Sequence, residues 1–199
     1  MLVYFNPQIY ETPTNSKGKY MYTIISGTNR NNSKSLMVAK TIEKMYQEQN
    51  VEVNVIDLRD LPQSLFLPES YDKKPDEFQP FIDKVVNAKG LIIVAAEYNG
   101  SAPGILKYFI DMLPYPDAFE NVGVSFVGLA AGKWAGIRAV EHMQQVFGYR
   151  DASIHPKRVF IPNSYGVLSS EDSFKTSDEF KRLNEQTKSF INFCDRLID

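Results

Sequence analysis

The segment SGTNRNNSKS, residues 26–35, brings together residue types that hold an anion without a metal. Small side chains let backbone N–H groups turn inward, and Gly27 relaxes the turn itself. A helix that begins near Ser33 adds about half a positive charge at its N-terminus, aimed at the same place. Arg30 supplies a rigid fork of donors that matches phosphate oxygens. Thr28 and Ser35 offer hydroxyls, Lys34 offers a second cation, and Ser33 suits the helix N-cap. Neither Gly-x4-Gly-Lys-Ser/Thr nor G-x-G-x-x-G is present, so this is neither a nucleoside-triphosphate loop nor a dinucleotide-binding turn. A loop without those glycines suits a terminal phosphate monoester better than a pyrophosphate lying across the helix end. Taken alone, the loop reads equally well as a polar turn with a serine cap.

Two further clusters point to a flat ligand. In AEYNGSAPGILK, residues 96–107, Glu97, Tyr98 and Asn99 crowd polar groups at the end of an apolar run. Gly100 permits a tight turn, and Pro103 suits the first turn of the next helix. Main-chain groups exposed there would hydrogen-bond the edge of a heterocycle, with Tyr98 flanking it. A plain strand-to-helix turn explains Gly100 and Pro103 but leaves Tyr98 and Asn99 without a role. In GLAAGKWAG, residues 128–136, Ala130, Gly132 and their small neighbours admit close backbone approach. Lys133 would stand beside a ring that gains negative charge on reduction. Trp134 reads either as a pocket wall or as a core or interface residue.

These clusters need elements that bring them to one place. YTIIS at 22–26 is a β-branched run that stops at Gly27. A first helix from about Ser33 carries Leu36, Ala39, Ile42 and Tyr46 three or four apart. EVNVID at 52–57 alternates with period two, followed by a Pro-containing connection over 58–74. Phe78, Phe81, Ile82, Val85 and Val86 form one apolar helical face. GLIIVAA at 90–96 and VGVSFVGLA at 122–130 are apolar without alternation, as central parallel strands are. Helices are expected from Pro103 onward, over 134–147 and near the C-terminus, the last with Phe180, Leu183, Thr187, Phe190, Ile191, Cys194, Leu197 and Ile198 in its stripe. A short strand is expected at 158–161 and a surface loop at 162–176. Five strands alternating with five helices argue for a doubly wound parallel sheet. In such a sheet ligands sit beyond the carboxyl ends of the strands, which is the edge that carries all three clusters.

Composition narrows the function. The chain has 199 residues, enough for a substantial core, and a net charge of -2, which leaves no basic surplus for nucleic acid or an anionic membrane surface. No apolar run approaches the ~20 residues of a membrane span. Cys194 is the single cysteine, and His142 and His155 lack metal-ligand spacing, so neither a disulfide framework nor a metal site is expected. A buried thiol is expected for Cys194, a surface position for His142, and a cytoplasmic location for the protein. Residues 1–20 read as an irregular arm ahead of a domain over 21–199.

The clusters resemble the motifs of the NADPH-dependent FMN reductase family, which includes quinone, chromate and azo-dye reductases. The family's G-S-x-R-x-x-S-x-N is matched by G-T-N-R-N-N-S-K-S at 27–35. Its P-E-Y-N-G-S-x-P-G-x-L-K is matched at 96–107 except for Ala96. The third match is looser, A-A-G-K-W-A-G against S-x-G-x-x-G-G, with Ala130 and Ala135 substituted. The resemblance implies a flavodoxin-like fold of strand order 2-1-3-4-5. It implies FMN with its phosphate at Thr28, Arg30, Ser33 and Ser35 and its ring along Glu97, Tyr98 and Asn99.

It further implies NADPH or NADH as electron donor, a small-molecule electron acceptor such as a quinone or free flavin, and a homodimer or homotetramer. The apolar stretch LPYPDAF at 113–119 is indirect support for an oligomer. The cofactor carries the chemistry, so no catalytic side chain is required. Two other classes fit the same residues: a flavodoxin-like electron carrier and a flavin-binding regulatory module. A pI of 5.8 is mild for a carrier.

Overall fold

The computed structural model describes residues 21–198; the expected arm at 1–20 lies outside the described residues. Strand β1 (Met21–Ser26) is flanked by β2 (Val53–Asp57) and β3 (Ala88–Ala96), and β4 (Gly123–Leu129) lies beyond β3. Every pairing is parallel and the order is 2-1-3-4-5, as expected. Strands β3 and β4 are buried almost throughout because helices cover both faces of the sheet. Side chains alternate between these faces. Ile25, Leu91, Ile93 and Phe126 enter one core with α2 (Gln79–Val86), α3 (Gly104–Asp111) and α4 (Ile137–Tyr149). Tyr22, Ile24, Ile92, Val94 and Val127 enter the other with α1 (Lys34–Gln47) and the long α7 (Asp178–Ile198).

The fifth position differs from expectation. It is shared by two short strands, β5 (Ser153–Ile154) beside the start of β4 and β6 (Val159–Ile161) beside its end. Pro156, between them, has no N–H to donate to a ladder, which interrupts the strand. Two short helices, α5 (Ser164–Val167) and α6 (Glu171–Lys175), replace the surface loop expected over 162–176. The Pro-containing connection after β2 is a series of single 3₁₀ turns. The 113–119 stretch lies between α3 and β4, leading into the amino end of β4. Leu113, Ala118 and Phe119 there are buried in their own core, while Tyr115 between them is 56% exposed. No helix among the described residues is long and apolar enough to cross a membrane.

Cys194 is buried on the α7 stripe, and burial pushes its thiol up to about 12. His155 carried no specific reading in the sequence, yet it is 2% exposed. Its ring lies 5.4 Å from that of Phe190 and 5.2 Å from that of Phe193, with Nε2 3.1 Å from the Ser189 hydroxyl. Burial holds this imidazole below its ordinary value. The unfolded chain therefore binds the proton more readily, at a pH near ~6.5, and stability rises with pH in that range. The contribution is complete above the unfolded value and is lost as pH falls through the folded one. Denaturation midpoints should fall between pH ~7 and ~5, and His155→Gln should flatten that slope. A variant with an unchanged slope would show that His155 does not titrate on unfolding.

Candidate functional site

Because every strand is parallel, the loops leaving β1, β3 and β4 emerge side by side on the carboxyl rim, and the strand order reverses between β1 and β3. The first loop is pressed against β3. The Gly27 N–H donates to the Val94 carbonyl at 2.9 Å, and a Cβ at this position would lie 2.7 Å from that oxygen. Only glycine fits. Ser33 caps α1, its hydroxyl accepting from the Leu36 N–H at 3.2 Å. The N–H groups of Lys34 and Ser35 stand at the first turn, where no helical carbonyl precedes them. The Ser35 hydroxyl is buried and has no hydrogen-bond partner. The Lys34 ammonium donates to the Leu168 carbonyl at 2.5 Å.

Thr28 and Tyr98 share a hydrogen bond between their hydroxyls, 2.8 Å long, which ties the first loop to the second across the reversal. The exposed Arg30 guanidinium lies 6.0 Å from the Tyr98 ring. Tyr98 first, and Tyr165 after it, hold that guanidinium above its ordinary value. Arg30 therefore faces the rim.

The second loop is a tight turn. Tyr98 and Ser101 exchange backbone hydrogen bonds at 2.8 and 3.0 Å around Asn99 (φ 52°) and Gly100 (φ 74°). Positive φ at both central residues is the type I′ pattern that Asn-Gly favours, which accounts for Asn99. The Glu97 N–H donates to Leu129 in β4 at 3.1 Å. Its Oε1 accepts from the Arg138 guanidinium at 3.3 Å, while Oε2 is buried and has no partner. One turn along α4, the exposed His142 places Nδ1 2.5 Å from the Ser101 hydroxyl.

The third loop is fixed by its main chain. The Ala130 N–H donates to Ile161 at 3.3 Å, and its carbonyl accepts from the Ser164 N–H at 3.0 Å. Ala135 (φ 54°) and Gly136 (φ 82°) are both left-handed, so α4 begins at Ile137 rather than at Trp134 as expected. Gly132, Lys133 and Trp134 are exposed. Sequence reasoning missed Arg138 and Tyr165. Arg138 is four residues from His142 on α4, and the Pro162-Asn163 pair after β6 marks a turn that sets Tyr165 on the rim.

The family model for NADPH-dependent FMN reductases matches residues 22–166, which include all three loops. The chain belongs to the NADPH-dependent FMN reductase family. As a member it is an FMN-dependent oxidoreductase that draws electrons from a reduced nicotinamide. It is 27% identical over 183 residues to an NADH:(hydroxy)cinnamate reductase subunit of Vibrio ruber, covering 88% of each chain. It is 29% identical over 187 residues to a quinone reductase of Escherichia coli, covering 90% of this chain and 97% of that one. The fold is also that of a flavoenzyme NAD(P)H:(acceptor) oxidoreductase from Paracoccus denitrificans, with a TM-score of 0.74 at 17% identity over 89% of this chain and 98% of that one.

The family's glycine at the Ala135 position has a physical reason, since a left-handed alanine costs roughly 1–2 kcal/mol. Ala135→Gly should therefore be neutral or raise stability by up to about 1 kcal/mol, once the freer unfolded chain is counted. Gly136→Ala should lower it by roughly 1–3 kcal/mol, because the new Cβ would also lie 2.6 Å from the Leu129 nitrogen. Urea unfolding of the two variants checks the contrast; equal effects would mean that the loop relaxes freely.

Proposed function

We propose that the carboxyl rim holds FMN with its phosphate at the N-terminus of α1 and its ring against the second and third loops. When bound, FMN supplies the hydride relay from NAD(P)H to a quinone, a free flavin or a similar small acceptor. The observation that carries this reading is the unpartnered Ser35 hydroxyl, buried beside the first-turn N–H groups of α1 and within the segment that also bears Arg30. Such a set of donors suits a dianionic monoester.

Each candidate residue then has a task. Gly27 lets the loop lie low; Thr28, Arg30, Ser33, Lys34 and Ser35 surround the phosphate, Lys34 through its N–H while its ammonium stays on Leu168. Around the ring, the turn of Tyr98, Asn99 and Gly100 offers main-chain groups. Glu97 brings a carboxylate oxygen that still needs a donor. Ala130 and Gly132 give the ring room, and Lys133 stands by the end that gains charge. No side chain acts as nucleophile or general acid.

We place the enzyme in the cytoplasm as a homodimer or homotetramer. The lone Cys194 calls for no oxidising compartment. Phe66, Leu67 and Tyr71 are exposed on the connection after β2, where Phe66 stacks on Tyr108 of α3 at 5.1 Å, an apolar patch suited to a second copy.

The purified protein should show a flavin absorption band that NADPH bleaches without oxygen and a quinone restores. A colourless protein that ignores added FMN would overturn the reading. Arg30→Ala should raise the FMN dissociation constant by about 10- to 100-fold, the range expected for a charge-assisted hydrogen bond. An unchanged constant would place the phosphate elsewhere.

A further inference from the structure

Four turns on the carboxyl rim, residues 27–33, 97–103, 130–136 and 162–168, contain two cations, Arg30 and Lys133, and one anion, Glu97; the turn leaving β2 adds Arg59 and Asp60, whose charges cancel. Lys34 and Arg138 stand immediately beyond the four turns, so the rim is basic in a chain of net charge -2. Two of these cations donate to oxygen, Lys34 to the Leu168 carbonyl and Arg138 to Glu97, while Arg30 and Lys133 lie against aromatic rings, those of Tyr98 and Trp134. Lys133 makes no ion pair among the described residues. Its ammonium stands 5.3 Å from the ring of Trp134, which is 59% exposed, and the Cβ direction of Gly132 beside it opens onto free space.

We propose that Lys133 and Trp134 form a docking ledge for an aromatic ring that carries an anionic substituent, the ring lying on the indole and the anion at the ammonium. This deepens the reading above and rests on it, since the ledge belongs to the turn assigned to the flavin ring. Two ligands share the chemistry. One is the adenosine 2′-phosphate end of NADPH, whose capture here would favour NADPH over NADH. The other is an acceptor that bears an acid group on its ring. An exposed indole contributes a flat, sequence-independent stacking surface, and an unpaired ammonium rewards negative charge near it.

Trp134 is the single tryptophan of the chain, so its fluorescence reports directly on the ledge. The FMN-loaded protein is titrated at low salt with two matched pairs: adenosine 2′,5′-bisphosphate against adenosine 5′-monophosphate, and 1,4-naphthoquinone-2-sulfonate against 1,4-naphthoquinone. The more anionic member of at least one pair should bind about fivefold tighter, with the difference shrinking in about 0.5 M NaCl. The pair that shows the preference names the source. Lys133→Gln should abolish the ratio, a readout that holds even where the variant also weakens FMN. Equal binding within both pairs, a ratio that survives Lys133→Gln, or a Trp134 that acrylamide does not quench in the free protein would each overturn the proposal. A yellow protein that NADPH bleaches but that shows no preference sinks the ledge alone, whereas a protein that takes up no FMN sinks the functional reading beneath it.

Discussion

The bond from the Gly27 N–H to the Val94 carbonyl fixes where everything else on the rim can stand. It lays the first loop against β3 at the point where the strand order reverses, and a side chain there would push the loop away by way of Val94 and Leu106. With the loop low, Thr28 reaches Tyr98, Arg30 reaches the face of the same ring, and α1 starts with its uncapped N–H groups directed at the rim. The shape of the rim is thus a consequence of one close backbone approach, made before any side chain is considered.

Much of this was legible in the residues. Unbroken apolar runs in β3 and β4 and helical stripes between them state a parallel sheet, and a parallel sheet puts successive loops on one edge. Asn99 was legible only as an oddity, because its reason is a positive φ shared with Gly100, and φ is not a pattern of polarity. The start of α4 was misplaced for the same cause: Trp134 fits the helical stripe, but Ala135 and Gly136 turn the chain left-handed behind it. The divided edge strand escaped notice because Ser153–Ile154 is only two residues long and gains its place from β4 rather than from its own sequence. Partners far apart in the chain were hidden altogether. Arg138 meets Glu97 across 41 positions, and Lys34 meets Leu168 across 134.

The rim also separates two electrostatic jobs. At the α1 end stand first-turn N–H groups and the unpartnered Ser35 hydroxyl, while Arg30 lies against the Tyr98 ring. Above the second loop, the Arg138–Glu97 pair is partly exposed, with the guanidinium 57% and the carboxylate 12% accessible. Such a pair contributes little to stability. Its effect is local: it leaves one Glu97 oxygen bound and the other without a donor, facing the need for one that a ligand can supply.

The third loop departs most from its family, yet its geometry is kept by parts that the substitutions do not touch. Ala130 is fastened through its own N–H to Ile161 and through its carbonyl to Ser164, neither of which depends on a side chain. Losing a hydroxyl there removes one hydrogen bond of about 1 kcal/mol and leaves the path of the backbone unchanged. At Ala135 the left-handed turn persists without glycine because Gly136 follows it against the Leu129 nitrogen, and burial of the alanine methyl offsets part of the strain. The path of this loop is therefore set by main-chain contacts, while Lys133 and Trp134 are left exposed at its tip.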